Sequence, residues 1–185
     1  MVLEGPGCLV SCPVVAILGP TASGKSDLAQ QVALRLDGEV VSADSMQVYR
    51  GMDIGTAKIK PEERLVPHHL IDILDPGVAF SAQMFQELSR SCIFELVKRG
   101  KVPVLCGGTG LYVQAALEDM RFPKGSQEEN PVREQYEALA AEKGNQAVWD
   151  VLNELDSASA SILHPNNVRR VIRALEMHEQ GVSYA

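Results

Sequence analysis

The chain has 185 residues but only four cysteines, and Cys8, Cys12, Cys92 and Cys106 fall at irregular intervals. That scarcity excludes a disulfide-stapled scaffold and fits free thiols in a reducing cytosol. Cys8 and Cys12 have the spacing of half a metal site, but no second Cys or His pair follows to complete one. Long apolar runs are also missing. Nothing approaches the roughly 20 residues that span a bilayer, so no membrane association is expected. The opening "MVLEGPGCLVSCP" carries no basic stretch ahead of an apolar one, so a secretion signal is not expected either. Positive charge is short as well: 17 Lys+Arg stand against 24 Asp+Glu, a net charge of −7. That balance argues against an indiscriminate nucleic-acid binder, although a local basic face is compatible with it. Internal repeats and low-complexity tracts are absent.

What remains is an ordinary globular balance, 45% hydrophobic and 22% charged, enough to bury a core in one domain or one plus part of a second. The run "PVVAIL" reads as a buried strand, followed by a Gly-rich loop and a helix from Ser26 to about Leu36. Gly38 stops that helix and "EVVSADS" opens a second strand. "MQVYRGMDIGTAKIKPEE" is rich in Gly and charge and has no steady period, so it reads as a long loop. "HHLIDILDP" reads as a short strand ended by Asp75-Pro76. "SAQMFQELSRSCIFELVKRG" has helical spacing, a Ser81 N-cap and a terminal Gly100. "KVPVLCGG" is another buried strand and "TGLYVQAALEDM" another helix. Strands alternating with helices predict a largely parallel α/β sheet with helices on both faces. Beyond "RFPKG" the rhythm stops, and "PVREQYEALAAEKG", "NQAVWDVLNELDSASASIL" and "NNVRRVIRALEMHEQG" read as three helices. A boundary is expected between Pro123 and Gly125, dividing the chain into 1–122 and 123–185.

Three motifs carry chemistry. "GPTASGKS", Gly19 to Ser26, matches G-x-x-x-x-G-K-S between a strand and a helix. In such a loop backbone N–H groups and the helix dipole face phosphate, the lysine adds a point charge, and the serine hydroxyl can ligate Mg²⁺. The match points strongly to phosphate and says little about the reaction. In "SADSMQVYRGMDIGTAK", Asp44 falls at the carboxyl end of the second strand, where open α/β sheets place ligands. There it can orient a Mg²⁺ water or accept a substrate proton, or else cap a turn or pair with Lys25 for structure alone. Tyr49, Arg50, Asp53 and Lys58 line a substrate or solvate the loop. "CGGTGLY" again joins strand to helix: Gly107, Gly108 and Gly110 admit a ligand or tight packing, and Thr109 offers a hydroxyl. His68 and His69 read as packing or turn residues. Arg169, Arg170 and Arg173 share one helix face, solvated or set against a phosphate backbone.

Together "GPTASGKS", "VVSADSMQVYRGMDIGTAK", "HHLIDILDP", "FSAQMF", "PVLCGGTGLYVQA" and "HPNNVRRVIRALE" resemble the tRNA dimethylallyltransferase (isopentenylpyrophosphate transferase) family in its bacterial form, from Pro13 to Glu176. The resemblance implies a P-loop NTPase-like core followed by a helical, tRNA-binding insertion. It implies transfer of a dimethylallyl group from its diphosphate to the exocyclic amine of the adenosine 3′ of the tRNA anticodon. Gly19, Thr21, Ala22, Ser23, Gly24, Lys25 and Ser26 would hold the diphosphate, with Mg²⁺ on Ser26. Asp44 takes the family's base position, and Lys25 and Thr109 complete the implied catalytic set. The tRNA would meet Asp44, Ser45, Met46 and Gln47, Thr109, Arg133, and the run Arg169, Arg170, Val171, Ile172 and Arg173. The implied setting is a cytoplasmic monomer acting on dimethylallyl diphosphate and an anticodon stem-loop. Family members run well past "RALE", so weak or no turnover is expected of these 185 residues. A small-molecule kinase and an adenylate isopentenyltransferase share the sheet and loop; the "DSMQVYRGMDIGTAK" segment favours the tRNA form.

Overall fold

The computed structural model describes residues 2–5, 8–11, 13–120, 122 and 130–185. Cys12 and the boundary expected at 123–125 lie outside the described residues. The chain divides into two compact units, Met1–Met120 and Arg121–Ala185.

The first unit begins with an antiparallel hairpin, β1 (Val2–Gly5) and β2 (Cys8–Ser11), which nothing in the pattern announced. Then come β3 (Val15–Leu18), α1 (Lys25–Arg35), β4 (Gly38–Ala43), β5 (His68–His69), α2 (Ala82–Lys98), β6 (Val102–Gly107) and α3 (Gly110–Leu117). The last four strands form a parallel sheet in the order β3-β6-β4-β5. Alternation along each strand divides its side chains between two layers. Val40, Val104 and Cys106 pack with Ala29 and Ala33 of α1 on one face. Val41, Ala43 and Leu105 pack with Phe85, Ile93 and Leu96 of α2 and Tyr112 of α3 on the other. The Phe85 and Tyr112 rings stack at 4.4 Å. Ser81 caps α2 as its sequence position predicts, its hydroxyl accepting from the Met84 N–H at 3.2 Å.

Register decides where the chemistry sits. Leu18 pairs with Gly107, and Gly107 pairs with Ala43. Three parallel strands therefore end on one row, and the next residues of each are Gly19, Gly108 and Asp44. The strand expected over "HHLIDILDP" shortens to His68–His69, because Leu70 (φ 60°) and Asp72 (φ 58°) take left-handed backbone that no strand accommodates. Beyond it the segment pairs with the preceding loop through an isolated parallel bridge between Tyr49 and Leu74. The long loop before it contains one 3₁₀ turn, Pro61–Glu63.

The second unit is helical: α4 (Pro131–Lys143), α5 (Asn145–Leu155), α6 (Ser157–Ile162) and α7 (Val168–Glu179). Its core joins Tyr136, Val148, Leu152, Ala160, Leu163, Val171, Ile172 and Leu175. The single helix expected from 145 to 163 is two. Asp156 leaves helical backbone (φ −146°, ψ 81°), and its carboxylate caps α6, accepting the Ser159 N–H at 3.0 Å and the Ser159 and Ser183 hydroxyls at 2.6 and 2.7 Å. These bonds, that from the Ser159 hydroxyl first, hold its pKa down at about 2.

Candidate active site

The loop Gly19–Ser26 curls tightly through left-handed backbone at Ala22 (φ 63°) and Gly24 (φ 79°), and α1 begins directly at Lys25. No side chain caps that helix, so its first N–H groups face the loop's concavity. Thr21, Ala22, Ser23 and Gly24 are exposed; Gly19, Lys25 and Ser26 are half-buried. The Lys25 ammonium donates to the Pro20 carbonyl at 3.0 Å, so the structural pair with Asp44 weighed from the sequence does not form.

The three motifs meet through backbone. Gly19 N–H donates to Gly107 O at 3.3 Å, and Thr109 N–H donates to Ala43 O at 3.4 Å. A Cβ on Gly107 would lie 2.1 Å from Ala43 O, and one on Gly108 would lie 2.8 Å from Gly19 O. These glycines are required by the closeness of the strands and of the phosphate loop. Around the junction, Ser26, Ser42, Gln47, His68 and Cys106 border a small hollow. Burial pushes the Cys106 thiol up in pKa; Lys25 and Ser26 pull against that shift and Asp44 adds to it, which marks how near these groups lie.

Asp44 is half-buried at the end of β4. Its Oδ1 accepts the N–H groups of Met46 at 2.9 Å and Gln47 at 3.3 Å. The turn-capping reading of Asp44 is thus realised on Oδ1, and Oδ2 is left without a partner among the described residues. Thr109 Oγ1 accepts the Ser45 N–H at 3.2 Å, joining the third motif to the second beside the carboxylate. Met46 is exposed on the same turn.

Other expected residues separate by their partners. The Gln47 side chain is buried, accepting from Ser42 Oγ at 3.0 Å and donating to Thr56 O at 2.9 Å. Tyr49, Arg50, Asp53 and Lys58 bond the loop to itself and to the segment after it, with Arg50 and Asp53 still exposed to solvent. Tyr49 bonds Val78 O, Arg50 pairs with Asp75, and Lys58 binds Asp53, Asp72 and Tyr49 O. Burial acts to lower the Lys58 pKa, but its two carboxylate partners prevail and raise it. His69 Nε2 lies 2.6 Å from Glu39 Oε2, and Arg99 grips both Glu39 oxygens at 2.9 Å, near the start of β4. Burial acts to raise the Glu39 pKa, yet Arg99 and His69 leave it lowered.

In the helical unit Arg169 and Arg170 are exposed. Val171 and Ile172, within the run expected to meet tRNA, have their side chains in the core. Arg133 and Arg173 are committed elsewhere: both bind the fully buried Glu176, at 2.7 and 2.9 Å. Sequence reading missed this triad, since Arg133 and Glu176 lie 43 positions apart. Among the described residues no cluster of three His, Cys, Asp or Glu could hold a metal, and no helix is long and apolar enough to cross a membrane.

A family profile described as IPP transferase matches residues 47–184. A tRNA dimethylallyltransferase of Exiguobacterium is 51% identical over 170 residues, 91% of this chain and 54% of the relative. One from Geobacillus thermodenitrificans is 51% identical over 166 residues, 89% and 52% of the two chains. The crystal structure of the tRNA isopentenylpyrophosphate transferase of Bacillus halodurans superposes with a TM-score of 0.60 at 50% identity, over 92% of this chain and 56% of that one. A eukaryotic dimethylallyltransferase acting on tRNA superposes at 0.78 with 32% identity, over 91% and 42%. The chain spans about half the length of the relatives it matches. With most of its residues matched, the chain belongs to the IPP transferase family.

Proposed function

We propose that this chain holds dimethylallyl diphosphate in its phosphate loop and provides the base that prenylates an adenosine of tRNA. The observation carrying this reading is the row Leu18–Gly107–Ala43, from which the phosphate loop, Thr109 and Asp44 all leave the same edge of the sheet. The phosphate loop and Asp44 leave β3 and β4 on either side of β6, so a diphosphate held by the loop and a base at Asp44 share one edge of the sheet.

The loop N–H groups and Lys25 bind the diphosphate and stabilise the charge that grows on it as the carbon–oxygen bond breaks. The exocyclic nitrogen of adenine forms the new bond to the allylic carbon, and the diphosphate departs with the electron pair. The nitrogen loses one proton, which Asp44 Oδ2 accepts. Oδ1, held by two backbone N–H groups, fixes the direction in which that second oxygen points. Thr109 orients the Asp44–Ser45 turn and offers its hydroxyl to the base. Ser26 fits a Mg²⁺ ion, because Mg²⁺ is commonly held by one or two protein oxygens with substrate phosphates and water completing its shell. Bound there, Mg²⁺ would neutralise charge on the leaving group. Arg169 and Arg170 offer exposed cations to the RNA backbone. The reading further takes the chain to act as a monomer in the cytoplasm.

The test is incubation of the chain, in excess over an anticodon stem-loop, with dimethylallyl diphosphate, ATP or adenosine monophosphate. Mass spectrometry is expected to find the five-carbon unit on the RNA adenosine. Phosphoryl transfer from ATP, or prenylation of the free nucleotide alone, would overturn the reading.

A further inference from the structure

We propose that Gln47 and Lys58 are positioning residues that lock the Asp44 turn, and that neither reads the RNA. The inference rests on the base role proposed for Asp44. Ser42 and Gln47 flank that turn, and the buried Gln47 carboxamide closes it. Its Oε1 accepts from Ser42 Oγ on β4, and its Nε2 donates to Thr56 O across the loop. The backbone N–H of the same residue binds Asp44 Oδ1. Gln47 therefore holds the carboxylate with its main chain while its side chain ties the turn to strand and loop.

Lys58 completes the lock from behind. Its side chain is 4% exposed, and its donors reach Tyr49 O at 2.8 Å, Asp53 at 2.9 Å and Asp72 at 2.7 Å. Asp72 in turn donates its N–H to Gln47 O at 3.1 Å. An unbroken path of hydrogen bonds thus runs from Lys58 through Asp72 and Gln47 to Asp44. Groups buried in this way orient a reactive side chain through its support, as outer-shell residues do around metal ligands and designed sites.

The test uses the whole chain and needs no turnover. Amide hydrogen exchange, the ¹³C resonance of the Asp44 carboxyl, and affinity for an anticodon stem-loop are measured in wild type, Gln47→Leu and Lys58→Met. Loss of the lock is expected to speed exchange at residues 46 and 47 by about tenfold or more, the scale of one or two hydrogen bonds. The Asp44 resonance moves, the amides of Val40–Ala43 and Val104–Gly107 stay protected, and RNA affinity changes by less than about threefold. Lys58→Met gives the smaller effect of the same sign. Unchanged exchange at residues 46 and 47 would overturn the proposal, as would a tenfold loss of RNA affinity in either variant. If Gln47→Leu deprotects the sheet as a whole, Gln47→Asn replaces it, keeping the amide one methylene short, with the same expected and contrary outcomes. An Asp44→Asn variant that still transfers at the wild-type rate would defeat the base role and leave the lock standing.

Discussion

Asp44 and Glu176 are both carboxylates near the ends of packed elements, and the two units use them in opposite ways. Glu176 is sealed in the helical core, with Arg133 donating to both oxygens and Arg173 sharing Oε2. Burial acts to raise its pKa, but the two guanidinium groups win and hold it lowered. Asp44 is half-buried, with one oxygen fixed by backbone N–H groups and the other available among the described residues. A carboxylate with both oxygens committed can only hold structure. One with a single oxygen committed is aimed and still able to accept a proton.

That contrast can be broken from either side. The largest effect is expected at the open carboxylate: Asp44→Ala should slow prenyl transfer by about 10²–10⁴-fold, the range for a lost general base, while lowering stability only by the roughly 0.5–2 kcal/mol of a lost cap. Next, Glu176→Ala should lower the stability of the helical unit by about 3–5 kcal/mol, the scale for breaking a buried ion pair, read by its unfolding transition. Dimethylallyl diphosphate binding should be indifferent to that change. If the two variants exchanged phenotypes, the distinction between the carboxylates would be false.

A smaller effect concerns pH. The Asp156 pKa is about 2 in the folded chain against an ordinary 3.8, so its capping contribution is present above 3.8 and is lost as pH falls towards 2. The helical unit should therefore melt progressively more easily across that window, and Asp156→Asn should flatten this part of the profile. The smallest effect is electrostatic. Arg169→Ala or Arg170→Ala should weaken stem-loop binding uniformly across RNA sequences and reduce the salt slope by about one each. Arg173→Ala should act through stability instead, since that arginine is engaged by Glu176.

Much of the site is legible in the sequence because it is local. A strand, a glycine turn and a helix start lie within "PVVAILGPTASGKS", and the same grammar repeats in "PVLCGGTGLY". Ser81 and Gly100 bracket α2 for equally local reasons. What escaped notice depends on distance or on backbone choice. The sequence order of strands does not show that β6 inserts between β3 and β4, which is what brings Gly107 between the phosphate loop and Asp44. Leu70 and Asp72 enter left-handed backbone without a glycine to signal it. "DSASAS" reads as continuing helix until the Asp156 carboxylate is seen to cap a new one. Gln47 has the polarity of a contact residue, and only the fold reveals that Ser42 and Thr56 already occupy it.

The central claim is that the loop Gly19–Ser26 holds the diphosphate of a prenyl donor beside Asp44. Calorimetric titration with dimethylallyl diphosphate and Mg²⁺, in wild type and Lys25→Ala, addresses it most directly. The account predicts saturable one-to-one binding that ATP does not match, weakened at least tenfold by Lys25→Ala, the minimum for losing a charge-assisted bond of about 1.5–3 kcal/mol. Tighter binding of ATP than of the prenyl diphosphate, or equal affinity in the two proteins, would contradict it.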